Sequence, residues 1–82
     1  MKSVDPLAGI STFLTVAALE SFSAAADDLG ISRATVSSQV SDLERRLGVR
    51  LLQRNTRRVC LTEAGQAYFE GLQGVTRRLE DA

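Results

Sequence analysis

A single glycine, Gly30, interrupts the apolar helical pattern of the stretch ADDLGISRATVSSQVSDLERRLG, which runs from residue 26 to residue 48. Glycine adopts the left-handed conformation without a steric penalty, and it therefore often ends a helix. Two residues later, the hydroxyl group of Ser32 can cap a new helix. The stretch thus predicts two short helices joined by a three-residue turn, which is a helix-turn-helix.

The helix predicted after Ser32 has one apolar face and one face of short polar side chains. The inward face is predicted by residues at helical spacing, namely Val36, Val40, Leu43 and Leu47, before Gly48 ends the helix. The opposite face carries Arg33, Ala34, Thr35, Ser37 and Ser38, with Gln39 and Ser41 toward its flank. Solvated helix faces usually carry Glu and Lys, which have higher helix propensity than Ser and Thr. Short polar groups suit a helix that lies against another polar surface, such as the major groove of DNA.

Two helices are predicted before this turn, and the second of them is the first helix of the helix-turn-helix. The first begins at Pro6 behind a cap at Asp5, and its apolar stripe comprises Leu7, Ile10, Phe13, Leu14 and Ala17. Ser23 is placed to cap the second helix, which continues to Leu29 through a row of alanines. Within that row, Ala26 is small enough to let neighbouring helices approach closely.

A β-hairpin is predicted after Gly48, because two short apolar runs flank a basic tip. The first run contains Val49, Leu51 and Leu52, the tip contains Asn55, Thr56, Arg57 and Arg58, and the second run contains Val59, Cys60 and Leu61. Cys60 is predicted to be a small buried hydrophobe rather than a redox sensor, since its neighbours are apolar. Three helices followed by such a hairpin form a winged helix-turn-helix.

Thr62 is predicted to cap a final helix that continues to the end of the chain. Its apolar residues have the period of a coiled-coil seam and comprise Tyr68, Leu72, Val75, Leu79 and Ala82. These residues could pack within the chain, but the period and the length of the helix favour a seam between two copies. The glycines of this helix, Gly65, Gly71 and Gly74, each weaken it by about 1 kcal/mol, which also favours a partner helix.

The charge is unevenly distributed, although the formal net charge of the chain is zero. Residues 33–58 carry seven arginines and two acidic residues, a net charge of +5, whereas residues 1–32 and 59–82 carry −3 and −2. The planar guanidinium of arginine suits phosphate oxygens and the edges of guanine. The basic centre therefore favours a nucleic-acid partner.

Enzymes, metalloproteins and membrane proteins fit the sequence poorly. There is no histidine, no metal-ligand cluster and no base partner for the single cysteine, so we expect no catalytic activity, metal or cofactor. No segment approaches the roughly 18 apolar residues of a membrane span, and one cysteine cannot form an internal disulfide, so we expect a cytoplasmic protein. A chain of 82 residues buries only about 60% of its unfolded surface, and oligomerisation would stabilise it.

Several of these features have explanations other than DNA binding. A winged-helix module that binds a protein groove is possible, but the polar face of the third helix lacks the large aromatic and aliphatic anchors of protein interfaces. Ser32 fits a helix cap better than a base contact. Arg45 and Arg46 are explained by pairing with Asp42 and Glu44 and by the helix dipole, so they are not included in the predicted site.

The chain resembles the N-terminal DNA-binding domain of LysR-type transcriptional regulators. The resemblance rests on SFSAAADDLGIS, VSSQVSDLERRLGVRLLQR and LTEAG, and it covers nearly the whole chain. It implies a mainly α winged helix-turn-helix with a three-helix core, a two-stranded hairpin and a long C-terminal dimerisation helix. Residues 1–61 would form the DNA-binding domain and residues 62–82 the linker and dimerisation helix. The ligand-sensing domain that normally follows in the family, and with it any site for a small-molecule inducer, would be absent.

The resemblance also implies a bacterial homodimer that binds an inverted-repeat operator in double-stranded DNA. The family's base-reading positions correspond to Arg33, Ala34, Ser37 and Ser38 on the third helix and to Arg57 on the hairpin. The family often has Gln-Pro in place of the first two, and usually has a basic residue at the position of Ser38. The full predicted DNA-binding set is Ser23, Ser32, Arg33, Ala34, Thr35, Ser37, Ser38, Arg54, Thr56, Arg57 and Arg58. The predicted dimer interface comprises Tyr68, Leu72, Val75 and Leu79.

Overall fold

Four helices and a short antiparallel hairpin make up the described part of the chain. The computed structural model describes residues 6–54 and 59–81, with the side chains of residues 9–53 and 59–72. In chain order the elements are α1 (Pro6–Leu19), α2 (Phe22–Leu29), α3 (Arg33–Leu47), β1 (Leu52–Arg54), β2 (Val59–Leu61) and α4 (Glu63–Asp81). This order confirms the predicted winged helix-turn-helix.

Helix α1 begins at Pro6, as predicted, because the first position of a helix does not need the amide that proline lacks. Asp5, its predicted cap, lies outside the described residues. The helix ends at Leu19, and the φ of 54° of the next residue, Glu20, places it in the left-handed region. The amide of Glu20 donates to the carbonyl of Val16 at 2.7 Å. Such a conformation is uncommon for a residue other than glycine.

Helix α2 is capped by Ser21, so the prediction of Ser23 as its cap was wrong. The hydroxyl oxygen of Ser21 accepts the amide of Ala24 at 3.0 Å, and the backbone of Ser21 is extended. The two serines flank Phe22, whose side chain is 6% exposed and belongs to the core. Phe22 shares the buried face of α2 with Ala25 and Ala26 at helical spacing, so the helix includes Phe22 and begins before Ser23, which lies exposed in its first turn.

The core lies where α1, α2 and α3 meet the base of the hairpin. Its buried apolar residues are Phe13, Val16, Phe22, Ala25, Ala26, Val36, Val40, Leu43, Leu51 and Leu52. Helix α4 joins this core through its aromatic residues, since the rings of Tyr68 and Phe69 lie 5.7 Å and 6.5 Å from the ring of Phe13. Aromatic pairs at these distances stabilise a core beyond the area that they bury.

Two residues that were predicted to be buried lie at the surface. Leu47 is 42% exposed, whereas Leu43, one turn earlier in α3, is 5% exposed, so the core ends between them. Cys60 is exposed, because successive side chains of a strand point to opposite faces. Its neighbours Val59 and Leu61 pack against the core and leave Cys60 on the outer face of β2.

Candidate nucleic-acid interface

The turn between α2 and α3 sets where α3 begins. Gly30 adopts the predicted left-handed conformation, with a φ of 69°, and its amide donates to the carbonyl of Ala26. The amide of Ile31 donates to the same carbonyl at 3.1 Å. The side chain of Ile31 is half-buried and packs against the core. The chain therefore leaves α2 and enters α3 within residues 30–32.

Ser32 caps α3, as predicted. Its hydroxyl oxygen accepts the amide of Thr35 at 3.1 Å and lies 2.8 Å from the hydroxyl oxygen of Thr35. This bond satisfies one of the amides that the first turn of a helix leaves unpaired. Both residues are exposed, so the N-terminus of α3 is accessible. Helix N-termini attract anions such as phosphate, because their amides point outward and the helix dipole is positive there.

The outward face of α3 carries the short polar side chains that the sequence predicts. Val36 and Val40 are fully buried on the inner face. Arg33, Ala34 and Ser38 are exposed, whereas Ser37 is partly buried. Small side chains let the backbone of a helix approach another surface closely. The arrangement therefore gives α3 an arginine at its first position and a shallow polar surface behind it.

Gln39 lies on a different side of α3, where it contacts α1. Its Oε1 accepts a hydrogen bond from the hydroxyl group of Thr12, and Thr12 is only 3% exposed. This bond satisfies a buried hydroxyl and joins the two helices, so it helps to orient α3. The sequence predicted Gln39 at the flank of the polar face and did not reveal its partner.

The predicted pairing within α3 is confirmed for Arg45, whose Nη1 lies 3.2 Å from Oδ1 of Asp42. The side chains of this pair are 76% and 53% exposed. An ion pair this accessible to water contributes little to stability. Glu44, which was also predicted to pair with the arginines, instead accepts hydrogen bonds from backbone amides at the start of the hairpin.

The hairpin has a single register. Leu52 lies opposite Leu61, Gln53 lies opposite Cys60, and Arg54 lies opposite Val59. Residues 55–58 join the two strands and lie outside the described residues, as does the side chain of Arg54. The side chains of four residues of the predicted DNA-binding set therefore lie outside the described residues, namely Arg54, Thr56, Arg57 and Arg58.

The base of the hairpin is held at Leu51 by contacts from both neighbouring helices. Oε2 of Glu44 accepts the amide of Leu51 at 2.8 Å and the amide of Leu52 at 3.1 Å. The carbonyl of Leu51 accepts the amide of Thr62 at 2.9 Å. Gly65 packs directly on that carbonyl, and a Cβ atom at position 65 would overlap it. We call these five residues the Leu51 junction.

Helix α4 begins at this junction. The predicted cap is confirmed, because the hydroxyl oxygen of Thr62 accepts the amide of Gly65 at 2.9 Å. The same hydroxyl group donates to the carbonyl of Arg50. The sequence indicated only that Gly65 weakens α4, whereas the structure shows that its missing side chain makes room for Leu51. The signal for this role was the position of a glycine in the first turn of a capped helix.

The predicted dimer residues divide into two groups. Tyr68 and Leu72 are half-buried and pack against the core of their own chain. These two residues therefore make contacts within the chain, which was the alternative to a seam between two copies. The side chains of Val75 and Leu79 lie outside the described residues. A seam between two copies remains a prediction.

The described residues contain no group of three or more His, Cys, Asp or Glu side chains that could hold a metal ion. Within the same part of the chain, the helices are too short or too polar to cross a membrane. The candidate site is the exposed face of α3 together with the N-terminus of that helix.

Residues 7–66 match the family model described as bacterial regulatory helix-turn-helix protein, lysR family. The chain belongs to the LysR family. The matched residues include all of α2, α3 and the hairpin, and they end within the first turn of α4. The match therefore covers both the candidate interface and the Leu51 junction.

Relatives of the chain include one protein named as a repressor and one named as an activator homolog. An HTH-type transcriptional repressor of Pseudomonas aeruginosa is 46% identical over 78 residues, which are 95% of this chain and 25% of that protein. A glycine cleavage system transcriptional activator homolog of Haemophilus influenzae is 41% identical over 81 residues, which are 99% of this chain and 27% of that protein. The chain thus spans about a quarter of the length of these relatives.

Solved structures of similar fold include two complexes with DNA. The BenM DNA-binding domain with catB site 1 DNA has a TM-score of 0.83 and 31% identity, and the match covers 92% of this chain and 84% of that one. Full-length CbnR with its target DNA has a TM-score of 0.79 and 33% identity, and the match covers 89% of this chain and 25% of that one. The fold of the chain is therefore that of LysR-family DNA-binding domains.

Proposed function

We propose that the chain is the sequence-specific DNA-binding domain of a bacterial transcriptional regulator, with α3 in the major groove. The observation that carries this proposal is the exposed polar face of α3. Arg33, Ala34 and Ser38 lie on it, while Val36 and Val40 hold the opposite face in the core. The major groove is about 12 Å wide and admits an α-helix with such a face. The DNA complexes of BenM and CbnR, which share the fold, support this assignment.

Arg33 is the proposed base-reading residue of greatest effect. It occupies the first position of α3, is exposed, and follows the Ser32 cap. Base contacts of helix-turn-helix proteins concentrate at the N-terminus of the recognition helix, and arginine can bind the O6 and N7 atoms of guanine with its two-pronged guanidinium. Ala34, Ser37 and Ser38 would follow along the groove, with Ser37 the least accessible of the three.

Phosphate contacts would supply much of the affinity. The amides at the N-terminus of α3 and the exposed Ser32, Thr35 and Ser23 lie on the first turns of the two helices of the motif. Such contacts position a protein on the duplex without reading its sequence. The hairpin residues Arg54, Thr56, Arg57 and Arg58 are proposed to bind the adjacent minor groove and its phosphates.

The regulator is proposed to act as a homodimer on an inverted repeat. A two-fold symmetric protein requires two half-sites whose spacing lets both recognition helices reach the major groove. Helix α4 is the proposed dimer element. Since Tyr68 and Leu72 contact the core of their own chain, Val75 and Leu79 would supply most of the seam. A small-molecule inducer would act through the ligand-sensing domain of the family, outside these residues.

Selection of bound sequences from a pool of random DNA duplexes tests the proposal directly. The expected result is enrichment of two inverted half-sites, and an affinity for the enriched duplex that falls steeply as salt is added. No enrichment, together with an affinity insensitive to salt, would contradict DNA binding and favour the protein-interaction alternative. Enrichment of a single unpaired half-site would contradict the homodimer alone.

Arginine substitutions separate base reading from phosphate binding. Arg33→Ala is expected to weaken binding and relax the preference for one base pair by about 1–3 kcal/mol, because a bidentate base contact is lost. Arg57→Ala is expected to weaken binding to all duplexes alike. Arg46→Ala is the matched control, since Arg46 is exposed on α3 but is not in the proposed site. Titration of variant half-sites measures each effect, and unchanged base preferences in Arg33→Ala would contradict its role.

A further inference from the structure

We infer that Glu44 is a positioning residue, which holds the hairpin base against α3 and thereby sets where the hairpin meets DNA. Glu44 is not itself proposed to contact DNA. The inference has two halves. The DNA half, that Glu44 sets where the hairpin meets DNA, rests on the proposed function. The protein half, that Glu44 holds the hairpin base against α3, rests on the contacts of the Leu51 junction alone.

Two consecutive backbone amides donate to one carboxylate oxygen of Glu44. Leu51 donates at 2.8 Å and Leu52 at 3.1 Å. Hydrogen bonds to an ionised carboxylate are shorter and stronger than those between neutral groups. The backbone carbonyl of Glu44 also accepts the amide of Gly48 at 2.8 Å. A single residue therefore contributes to the end of α3 and holds the strand that follows it.

These bonds act at the point where the hairpin leaves the core. Leu51 and Leu52 are each 1% exposed, and Leu52 begins β1 opposite Leu61. A strand rises by about 3.3 Å per residue, so a small change of angle at Leu52 is magnified by the end of β1 at Arg54. The base of the hairpin is thus tied to α3 by two amides bound to Glu44, and to the core by the side chains of Leu51 and Leu52.

The charge of Glu44 opposes DNA binding, so its presence requires another explanation. It is one of two acidic residues among the seven arginines of residues 33–58. The other, Asp42, is exposed and lies 3.2 Å from Arg45. Glu44 is half-buried, and its carboxylate is directed to the hairpin amides. Positioning of the hairpin accounts for the presence of an acidic residue in a region that is proposed to lie near phosphate groups.

A positioning role predicts a pattern of losses that a purely structural role does not. If Glu44 acted only on stability, its loss would weaken contacts of α3 and of the hairpin equally. If it positions the hairpin, contacts at the flank of each half-site are lost while those of α3 in the major groove remain. The two patterns are distinguished by footprinting rather than by affinity alone.

The test uses the 82-residue chain and the duplex enriched by selection, with hydroxyl-radical footprinting of each variant. Glu44→Ala is expected to lose protection at the half-site flanks, to keep it at the centre, and to bind about tenfold more weakly, as one lost contact would cause. Glu44→Gln should show a smaller loss, since an amide oxygen still accepts. Asp42→Ala is the matched control, because it removes the same charge from α3, and it should bind no more weakly than the parent chain. Equal loss at flank and centre would overturn the inference.

Amide hydrogen exchange tests the protein half without DNA. The amides of Leu51 and Leu52 should exchange faster in Glu44→Ala, while those of Val36 and Val40 in the core of α3 stay protected. Should Glu44→Ala not fold, Glu44→Gln decides by the same comparison. Unchanged exchange at the two leucines would overturn the inference even if DNA binding were impaired.

A double-mutant cycle connects Glu44 to the hairpin. If Glu44 acts through the hairpin arginines, Glu44→Gln should cost less affinity in an Arg57→Ala background than in the parent chain. Fully additive losses would overturn the DNA half of the inference. Failure of the parent chain to bind any duplex would overturn the proposed function and this half together, whereas the exchange result would still decide the protein half.

Discussion

The two ends of α3 are held in different ways. At its N-terminus, Gly30 and Ser32 act on residues within five positions of themselves. At its C-terminus, Gly48 ends the helix locally, but the chain beyond it is held by Glu44 and Thr62, which meet at Leu51. The first end is assembled from neighbours in sequence. The second requires α3, the hairpin and α4 to come together.

This difference corresponds to a division of labour in the proposed site. In the proposed function, the N-terminal end would present Arg33 and the helix amides to DNA, and a local turn is sufficient to place them. The C-terminal end must hold a second element, the hairpin, at a constant distance from α3. Contacts between distant segments are needed for this, and they make the Leu51 junction sensitive to single substitutions.

The largest effect on stability is expected at the C-terminal end, from Gly65→Ala. Its Cβ atom would overlap the carbonyl of Leu51, and the overpacking should lower the free energy of unfolding by about 1–3 kcal/mol. Gly71→Ala is the matched control, because a Cβ there meets no atom of the described residues within 4 Å. It should raise the free energy of unfolding by up to about 1 kcal/mol through helix propensity. Urea denaturation followed by circular dichroism measures both. Equal stability of the two variants would show that the close contact at Leu51 is absent in solution.

The helix caps at the two ends provide the next comparison. Thr62→Val removes a hydroxyl group that accepts from Gly65 and donates to Arg50, and it should cost about 1–2 kcal/mol of unfolding free energy. Ser32→Ala removes a cap with bonds inside one helical turn, and about 1 kcal/mol is expected. Thermal or urea unfolding distinguishes them, with Thr62→Ser as the variant that keeps the hydroxyl group. A larger cost for Ser32→Ala would reverse the order proposed for the two ends.

Substitutions at two residues with a positive φ, Gly30 and Glu20, test the local backbone conformation. Gly30→Ala is expected to cost about 1 kcal/mol, because a side chain at a φ of 69° is strained. Glu20 already bears that strain at a φ of 54°. Glu20→Gly should therefore stabilise the chain, but by less, since the added freedom of the unfolded glycine offsets part of the gain. The unfolding midpoint should fall for Gly30→Ala and rise for Glu20→Gly. A shift of both midpoints in the same direction would contradict this account.

The smallest effect is expected for the exposed ion pair of α3. Arg45→Ala should change the free energy of unfolding by less than about 0.5 kcal/mol, because water screens the pair with Asp42. The measurement is repeated at high salt, where the parent chain and the variant should converge. A larger change that salt does not reduce would indicate that Arg45 has a further structural partner.

Sequence patterns were most informative where structure depends on near neighbours. The start of α3 at Ser32, its end at Gly48 and its inner residues Val36 and Val40 were all predicted, because caps, left-handed glycines and helical periodicity act over a few positions. Much of the outward face of α3 was then predicted as the residues that lie opposite this apolar face. The hairpin and the last helix were also predicted from their own residues, and the resemblance to the LysR family implied the same elements.

The errors occurred where an outcome depended on which segments meet. Ser21 and Ser23 have similar capping potential, and the burial of Phe22 between them decided in favour of Ser21. Cys60 has apolar neighbours, but the alternation of β2 placed it on the outer face. Tyr68 is not among these errors, because its ring contact with Phe13 leaves its part in a seam between two copies a prediction.

By itself, the amino-acid sequence determined the helix-turn-helix, the capped N-terminus of α3 and its polar face, because the forces that form them act between residues within about one or two helical turns. Only the tertiary structure decided the roles of Glu44 and Gly65, because both depend on the backbone of Leu51. A carboxylate acquires a role when particular amides are brought to it, and a glycine when another segment packs on it. Neither partner is indicated by local spacing.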